Sequence, residues 1–372
     1  MKIAILSTFY PYRGGLAQFN AELYKELARD HEVRAFNFSR QYPSFLFPGK
    51  TQYVEEGDDA VKIESLRVLD TINPLSWCST VRKIAQWGPD LVIVRYWMSF
   101  FAPSLGIVIR GLRKRGIKVV SLLDNVIPHE RRFFDNALSR WFLKQNGACA
   151  VMSRKVLGDM LSLAPTMPHS LVNHPLYENS GSPMPKTEAR NTLNLPQQAK
   201  ILLFFGFIRQ YKGLDLLIGA MPLLPENVHL VIAGESYGPF DGYEKQIAES
   251  GAAGRIHTFI RYIADGEIPL FMSAADLCVF PYRSATQSGI TGITVRYGLP
   301  CVATPAGGLA ESVGGAGIGE VASGISSPAI AEAVTKALGN GDGHYLPAIG
   351  QYRETHTWKA LADGLIELSK AT

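Results

Sequence analysis

Residues 204–221 read FFGFIRQYKGLDLLIGAM: a short run of strand formers closed by Gly206, a loop carrying two cations, and an amphipathic helical pattern that opens near Gly213. This is one strand-to-helix step of an α/β protein. Side chains in such a loop stand at the carboxyl edge of the sheet, where open α/β sheets bind their ligands. Arg209 and Lys212 occupy that edge. A guanidinium forks onto phosphate oxygens and an ammonium adds a compact charge, so the pair suits a diphosphate carrying about two negative charges without a metal. An ordinary solvated loop accommodates the same two residues, and the rest of the chain decides between the readings.

Outward from this stretch, strand-like runs alternate with helical patterns. After it come NVHLVIAG (227–234), RIHTFI (255–260), ADLCVFPY (275–282), LPCVATP (299–305) and a short strand near 317–321. Before it come KIAILS (2–7), HEVRAFNF (31–38), DLVIVRY (90–96), IKVVSLL (117–123) and GACAVMS (147–153). Such alternation predicts parallel, doubly wound sheets. The stretch 171–185, rich in Asn, Gly, Ser and Pro, reads as a linker. The expected architecture is therefore α/β with two Rossmann-like domains, 1–175 and 176–354, facing across a cleft. The helical pattern of 355–372 either closes the second domain or packs back on the first.

At 372 residues with 47% apolar content, two ordinary globular domains are expected. Cys78, Cys149, Cys278 and Cys301 show no C-x-x-C spacing and read as buried thiols of a reducing cytosol. The opening MKIAILSTFYPY is too short in its apolar part for a signal peptide, and the run 98–109 falls well short of the roughly 20 residues needed to cross a bilayer. A cytoplasmic protein is expected. The net charge of +4 divides unevenly: residues 1–180 hold 23 Lys+Arg against 16 Asp+Glu, and residues 181–372 hold 14 against 17. RGLRKRGIK (110–118) and HERRFFDNALSRWFLK (129–144) concentrate the positive charge beside Phe133, Phe134, Trp141 and Phe142. These helices either rest on an anionic membrane at the inner face of the cytoplasmic membrane or pack their aromatics inward as ordinary helices. No nucleic-acid-binding motif is present, and nucleic acid is not an expected partner.

Further loops of the second half add to the candidate site. Gly234 and Glu235 follow a strand directly, as a carboxylate for sugar or ribose hydroxyls or as a plain turn. Ser288 and Gly289 open a helix whose free N–H groups form an anion site. Gly307 and Gly308 allow close backbone approach, and Glu311 falls in a first helical turn, where the dipole favours it.

The combination GFIRQYKGLDLLIGAM, HLVIAGES, YIADGEIPLFMSAADLCVFPY, QSG, GLPCVATPAGG and GLAE, preceded by PYRGGLAQFNAELYKEL, resembles glycosyltransferase family 4 over nearly the whole chain. The resemblance implies the GT-B fold and transfer of a sugar from a nucleotide-sugar donor with retention, with no bound metal and no cofactor besides the donor as substrate. It places Arg209 and Lys212 on the donor diphosphate, with Gly206 permitting their approach. Ser288 and Gly289 match a loop on donor phosphate or sugar. Gly14 and Gly15 match the loop against donor and acceptor, and backbone near Arg261, Tyr262 and Ile263 matches the base site. Two glutamates usual in the family fall at Ala285 and Ile293 here, so ribose contact shifts to Glu235, Gln287 or Thr291. For the family's first-domain histidine, His129 is the first candidate and Asp124 the second, each orienting hydroxyls of donor or acceptor. The expected acceptor is a glycan or lipid-linked glycan in cell-surface polysaccharide synthesis. A noncatalytic nucleotide-sugar-binding relative and a same-fold nucleotide-sugar epimerase stand as alternatives.

Overall fold

The computed structural model describes residues 1–43, 52–54, 60–127, 133–177, 181–285, 289–341 and 343–372. The chain forms two compact units, Met1–His174 with Thr357–Thr372, and Pro175–His356.

In the first unit the elements run β1 (Lys2–Leu6), α1 (Gly15–Leu27), β2 (Glu32–Arg40), β3 (Ser65–Asp70), α2 (Pro74–Trp87), β4 (Leu91–Tyr96), α3 (Ala102–Arg113), β5 (Lys118–Leu123), α4 (Asp135–Gln145), β6 (Ala148–Val151), α5 (Arg154–Leu163) and β7 (His169–Leu171). All seven strands are parallel, in the order β3-β2-β1-β4-β5-β6-β7. Strands with helices on both faces bury both of their sides, which is why β4 is buried at every residue and reads LVIVRY without alternation.

The second unit holds α6 (Lys186–Thr192), β8 (Lys200–Phe205), α7 (Leu214–Ala220), β9 (Val228–Ala233), α8 (Asp241–Glu249), β10 (Ile256–Phe259), α9 (Ile268–Ala274), β11 (Leu277–Phe280), α10 (Gly289–Arg296), β12 (Cys301–Ala303), β13 (Gly319–Val321), α11 (Ser327–Gly339) and α12 (Leu346–Thr355). Its six strands are parallel in the order β10-β9-β8-β11-β12-β13. The strand order reverses at β8/β11, as it does at β1/β4 in the first unit. Such a switch point splays neighbouring loops apart and leaves room for a ligand at the carboxyl edge.

The last helix, α13 (Trp358–Leu368), belongs to the first unit. Trp358 packs edge-on against Phe19 of α1, with ring centroids 4.9 Å apart, and Lys118 Nζ donates to the Ser369 carbonyl at 3.1 Å.

Three sequence expectations change. β3 and β7 have no counterpart among the strands read from the sequence. Both are edge strands, so each buries little and carries a weak apolar signal. Leu171, taken as the start of the linker, ends β7 instead. Cys78 is exposed on α2, whereas the other three thiols are buried. It lies on the solvent side of an amphipathic helix that buries Trp77, Val81 and Ile84.

Candidate active site

The site in the second unit is built from three loops at the carboxyl edge of its sheet. β8 is followed by Gly206, whose φ of 95° suits glycine. A Cβ at this position would sit 3.4 Å from Lys212 Nζ and 3.5 Å from Ile290 Cδ1. The glycine thus brings the ammonium and the first turn of α10 close to the strand end. Arg209 and a single 3₁₀ turn, Gln210–Lys212, follow. The turn is pinned from the loop after β11: Arg283 N donates to the Tyr211 carbonyl at 2.7 Å, and its guanidinium forks onto Asp215 at 2.7 and 2.5 Å. Gly213, at φ 65°, passes so near Pro281 that a Cβ would lie 2.0 Å from its carbonyl oxygen.

Lys212 is the electrostatic centre of this arrangement. Only 8% of the residue is exposed. Burial, and then the positive charge of Arg209, pull its pKa down to about 8. The Tyr282 ring lies 5.6 Å from the Lys212 Nζ, measured to the centroid. Among the described residues, no carboxylate pairs with Arg209 or Lys212. Two other arginines in the carboxyl-edge loops differ, since Arg261 forks onto Glu267 at 2.8 and 2.5 Å and Arg283 is held by Asp215 at 2.7 Å. A desolvated cation without a counter-ion is costly. A dianionic ligand would relieve that cost.

The first turn of α10 supplies further donors. Gly289 begins the helix, and the Ile290 side chain stands over the face of Gly206 where a Cβ would be. Helical N–H groups at such a start have no partners within the helix, and their dipole favours an anion. Thr291 Oγ1 is buried here without a hydrogen-bond partner among the described residues. Gln287 and Ser288, two of the sequence candidates, lie outside the described residues. Ala285 and Ile293 pack against the core beneath the site. Gly307, at φ 55°, would place a Cβ 1.8 Å from the Ala285 carbonyl oxygen, so its lack of a side chain serves loop packing.

Gly234 and Glu235 follow β9. A Cβ on Gly234 would meet the Gly206 carbonyl oxygen at 2.2 Å, so glycine is needed for the two loops to lie side by side. Glu235 accepts from Ile208 N through its backbone carbonyl at 2.8 Å, and its side chain is exposed. Tyr262 stands exposed after β10, next to the Arg261–Glu267 pair. Sequence reading overlooked Tyr237, whose ring lies under the Arg209 guanidinium with 4.2 Å from Cζ to centroid. No spacing in GESYGPF signals that contact.

In the first unit, Gly14 caps α1 at φ 104°, and among the described residues, chain neighbours aside, no atom comes within 4 Å of where a Cβ on Gly14 or Gly15 would stand. Asp124 ends β5. Its two oxygens are taken by Arg95 Nε and Nη2 at 2.7 Å each. Arg95 in turn donates to Asn20 Oδ1 at 3.2 Å and lies 3.9 Å from the Phe19 centroid. His129 lies outside the described residues.

A family model described as glycosyl transferases group 1 matches residues 185–353, and one described as a glycosyl transferase 4-like domain matches residues 14–168. A D-inositol 3-phosphate glycosyltransferase of Corynebacterium urealyticum is 28% identical over 200 residues, covering 49% of this chain and 46% of that protein. Its counterpart from Thermomonospora curvata is 28% identical over 197 residues, covering 49% and 45%. The chain spans a little under half the length of these curated relatives. Among solved structures, Anabaena HepE in complex with UDP covers all of both chains with a TM-score of 0.71 at 16% identity. The apo form of the lipopolysaccharide outer core galactosyltransferase WaaB covers 99% of both at a TM-score of 0.70 and 13% identity. These likenesses show the GT-B fold. With both halves matched in order and the fold in agreement, the chain belongs to glycosyltransferase family 4.

Proposed function

We propose that this protein transfers a sugar from a nucleotide-sugar donor to a glycan or lipid-linked glycan acceptor, with retention of anomeric configuration. One observation carries the reading: a buried lysine with no acidic partner among the described residues, beside an arginine likewise unpaired by acid, at a glycine-lined sheet edge next to a helix start. Breaking the sugar–phosphate bond leaves negative charge on the diphosphate. Lys212, Arg209 and the first N–H groups of α10 would stabilise that charge, and such preorganised electrostatics is often the largest catalytic term. No metal and no protein nucleophile enter the proposal. The departing phosphate oxygen takes the acceptor proton on the same face of the sugar. Thr291 Oγ1, Glu235 and Gln287 are the candidates for ribose contact, and Tyr262 with its backbone for the base. In the first unit, His129 is proposed to orient a hydroxyl. Asp124 ranks second because Arg95 already occupies both of its oxygens.

The HepE structures hold UDP and UDP-glucose, which makes uridine diphosphate sugars the first donors to test. Contact with an anionic membrane at the cytoplasmic face is part of the proposal and rests on α2, α3 and α4. These three helices pack side by side and expose Arg82, Lys83, Arg110, Arg113, Arg140 and Lys144. Their one carboxylate, Asp135, is buried and accepts from Ser99 Oγ at 2.5 Å. Phe133, just before α4, is 97% exposed. No helix among the described residues is long and apolar enough to cross a membrane.

The test is a thermal-shift screen of UDP-, GDP- and ADP-sugars, with and without magnesium, on the wild type and on Lys212→Ala, since a ligand that binds the native state raises its stability. A metal-independent shift with one nucleotide, abolished in the variant, is expected. Equal shifts in both proteins would remove Lys212 from the site. Donor incubated alone should stay chemically unchanged, and a converted sugar would favour an epimerase.

A further inference from the structure

The loops after β8 and β9 continue as a pair beyond the sheet. Ile208 N donates to the Glu235 carbonyl at 2.8 Å and Tyr237 N to the Ile208 carbonyl at 3.1 Å, with an isolated parallel bridge between Ile208 and Ser236. Ile208 is buried in the core below. Side chains alternate along an extended segment, so burying Ile208 turns its neighbours Phe207 and Arg209 the other way. Tyr237 meets both: its ring stands edge-to-face with Phe207 at 5.0 Å and 87°, and carries the Arg209 guanidinium 4.2 Å from its centroid. Phe207 is 40% exposed and Tyr237 60%. Two large rings left open to water beside the site therefore have a use that core packing does not explain.

From this geometry we infer that Tyr237, backed by Phe207, is a positioning residue that holds the Arg209 guanidinium ready for a diphosphate. The inference rests on the proposed donor site. An exposed arginine samples many rotamers, and ordering it on binding costs entropy. A tyrosine has only two side-chain torsions. Its own backbone is fixed here by the bond to Ile208, so it forms a rigid platform. Contact through the flat face of the guanidinium leaves the N–H groups along its edge available for phosphate oxygens. The platform must be aromatic, while the phenol hydroxyl is dispensable.

The test compares Tyr237→Leu and Tyr237→Phe, each alone and combined with Arg209→Ala, by calorimetric titration with UDP and inorganic diphosphate. Tyr237→Leu is expected to weaken both ligands about 3- to 5-fold, the scale of an exposed cation–π contact. Tyr237→Phe should recover the affinity, and in the Arg209→Ala background the leucine change should have no further effect. Wild-type affinity in Tyr237→Leu would overturn the inference. So would an equal loss with and without Arg209, which would mean that the ring touches the ligand itself. If the wild type binds neither ligand, the donor-site reading fails, and the stacking is then read without ligand. In protein labelled with ¹⁵N-arginine, the Arg209 Nε–Hε signal, assigned by its loss in Arg209→Lys, should show a ring-current shift in the wild type and in Tyr237→Phe. That shift should vanish in Tyr237→Leu, and its absence from the wild type would overturn the inference.

Discussion

Lys212, in the role proposed for it, illustrates how a residue held ready for a ligand weakens the fold that holds it. Its folded pKa of about 8 lies below the usual lysine value of 10.5, because burial and Arg209 disfavour the ammonium. Below pH 8 the protein bears the full burden of a desolvated charge, and the burden is relieved as pH rises from 8 toward 10.5. Lys212→Met should therefore lose nucleotide binding yet gain stability, by about 1 kcal/mol once solvent screening is allowed for. Paired calorimetry of binding and thermal unfolding checks both signs. In the wild type, diphosphate affinity should fall as pH rises through about 8, since only the ammonium binds the anion. A flat affinity profile between pH 7 and 9.5 would detach Lys212 from the ligand. Asp124 calls for a different caution. It is bound bidentately to a buried arginine, and removing one partner of such a pair typically costs about 3–5 kcal/mol. Asp124→Ala should lower the chemical-denaturation midpoint of the first unit, so a loss of turnover in that variant would not by itself mark a catalytic group.

Among the elements, the βα loops of the second sheet owe their shape to backbone approach as much as to side chains. Gly213→Ala meets both a left-handed φ and the Pro281 carbonyl at 2.0 Å. It should displace the 3₁₀ turn that carries Lys212, with a stability loss of about 1–3 kcal/mol or more and weaker diphosphate binding, both read from thermal unfolding with and without nucleotide. At the far edge of the same sheet, His229 on β9 and His257 on β10 share a hydrogen bond of 3.1 Å with their rings stacked at 15°. Burial lowers both pKa values, helped by Arg255 at His229 and by His229 at His257. The folded state thus binds fewer protons than the unfolded one. Its stability should hold above the unfolded histidine pKa of about 6.5 and drain away as pH falls below it. A His229→Gln/His257→Gln double variant should flatten the unfolding midpoint between pH 7 and 5. An unchanged slope would place the acid sensitivity elsewhere.

For the whole molecule, the closing segment behaves as part of the beginning. α13 buries Trp358, Leu361, Ala362, Leu365 and Leu368 in the first unit, next to α1, β6 and β7. Large apolar side chains contribute about 1.5–3 kcal/mol each when buried, so together they rival the stability of a domain. A chain ending at His356 should lose the first unit to unfolding or aggregation while the second remains protected in limited proteolysis. Equal protection of both units would show α13 to be dispensable. The alternation of strands and helices was written in the sequence because a strand covered on both faces must be apolar almost throughout, as LVIVRY and KILLFF are apart from Arg95 and Lys200. The loop bearing Arg209 and Lys212 was legible for a related reason: glycine punctuates the strand end and the helix start, and charge between them has nowhere to go but the sheet edge. Edge strands β3 and β7 were not legible, since each buries only part of its length, Val68 and Leu69 in the six residues of β3 and none fully in the three of β7, too little to leave a pattern. Nor could the sequence show that Arg283 pins the turn, that Arg95 occupies Asp124, or that Tyr237 lies beneath Arg209. Those contacts join residues whose separation along the chain says nothing of their distance, and only the register of parallel strands and the pairing of the loops above them brought the side chains together.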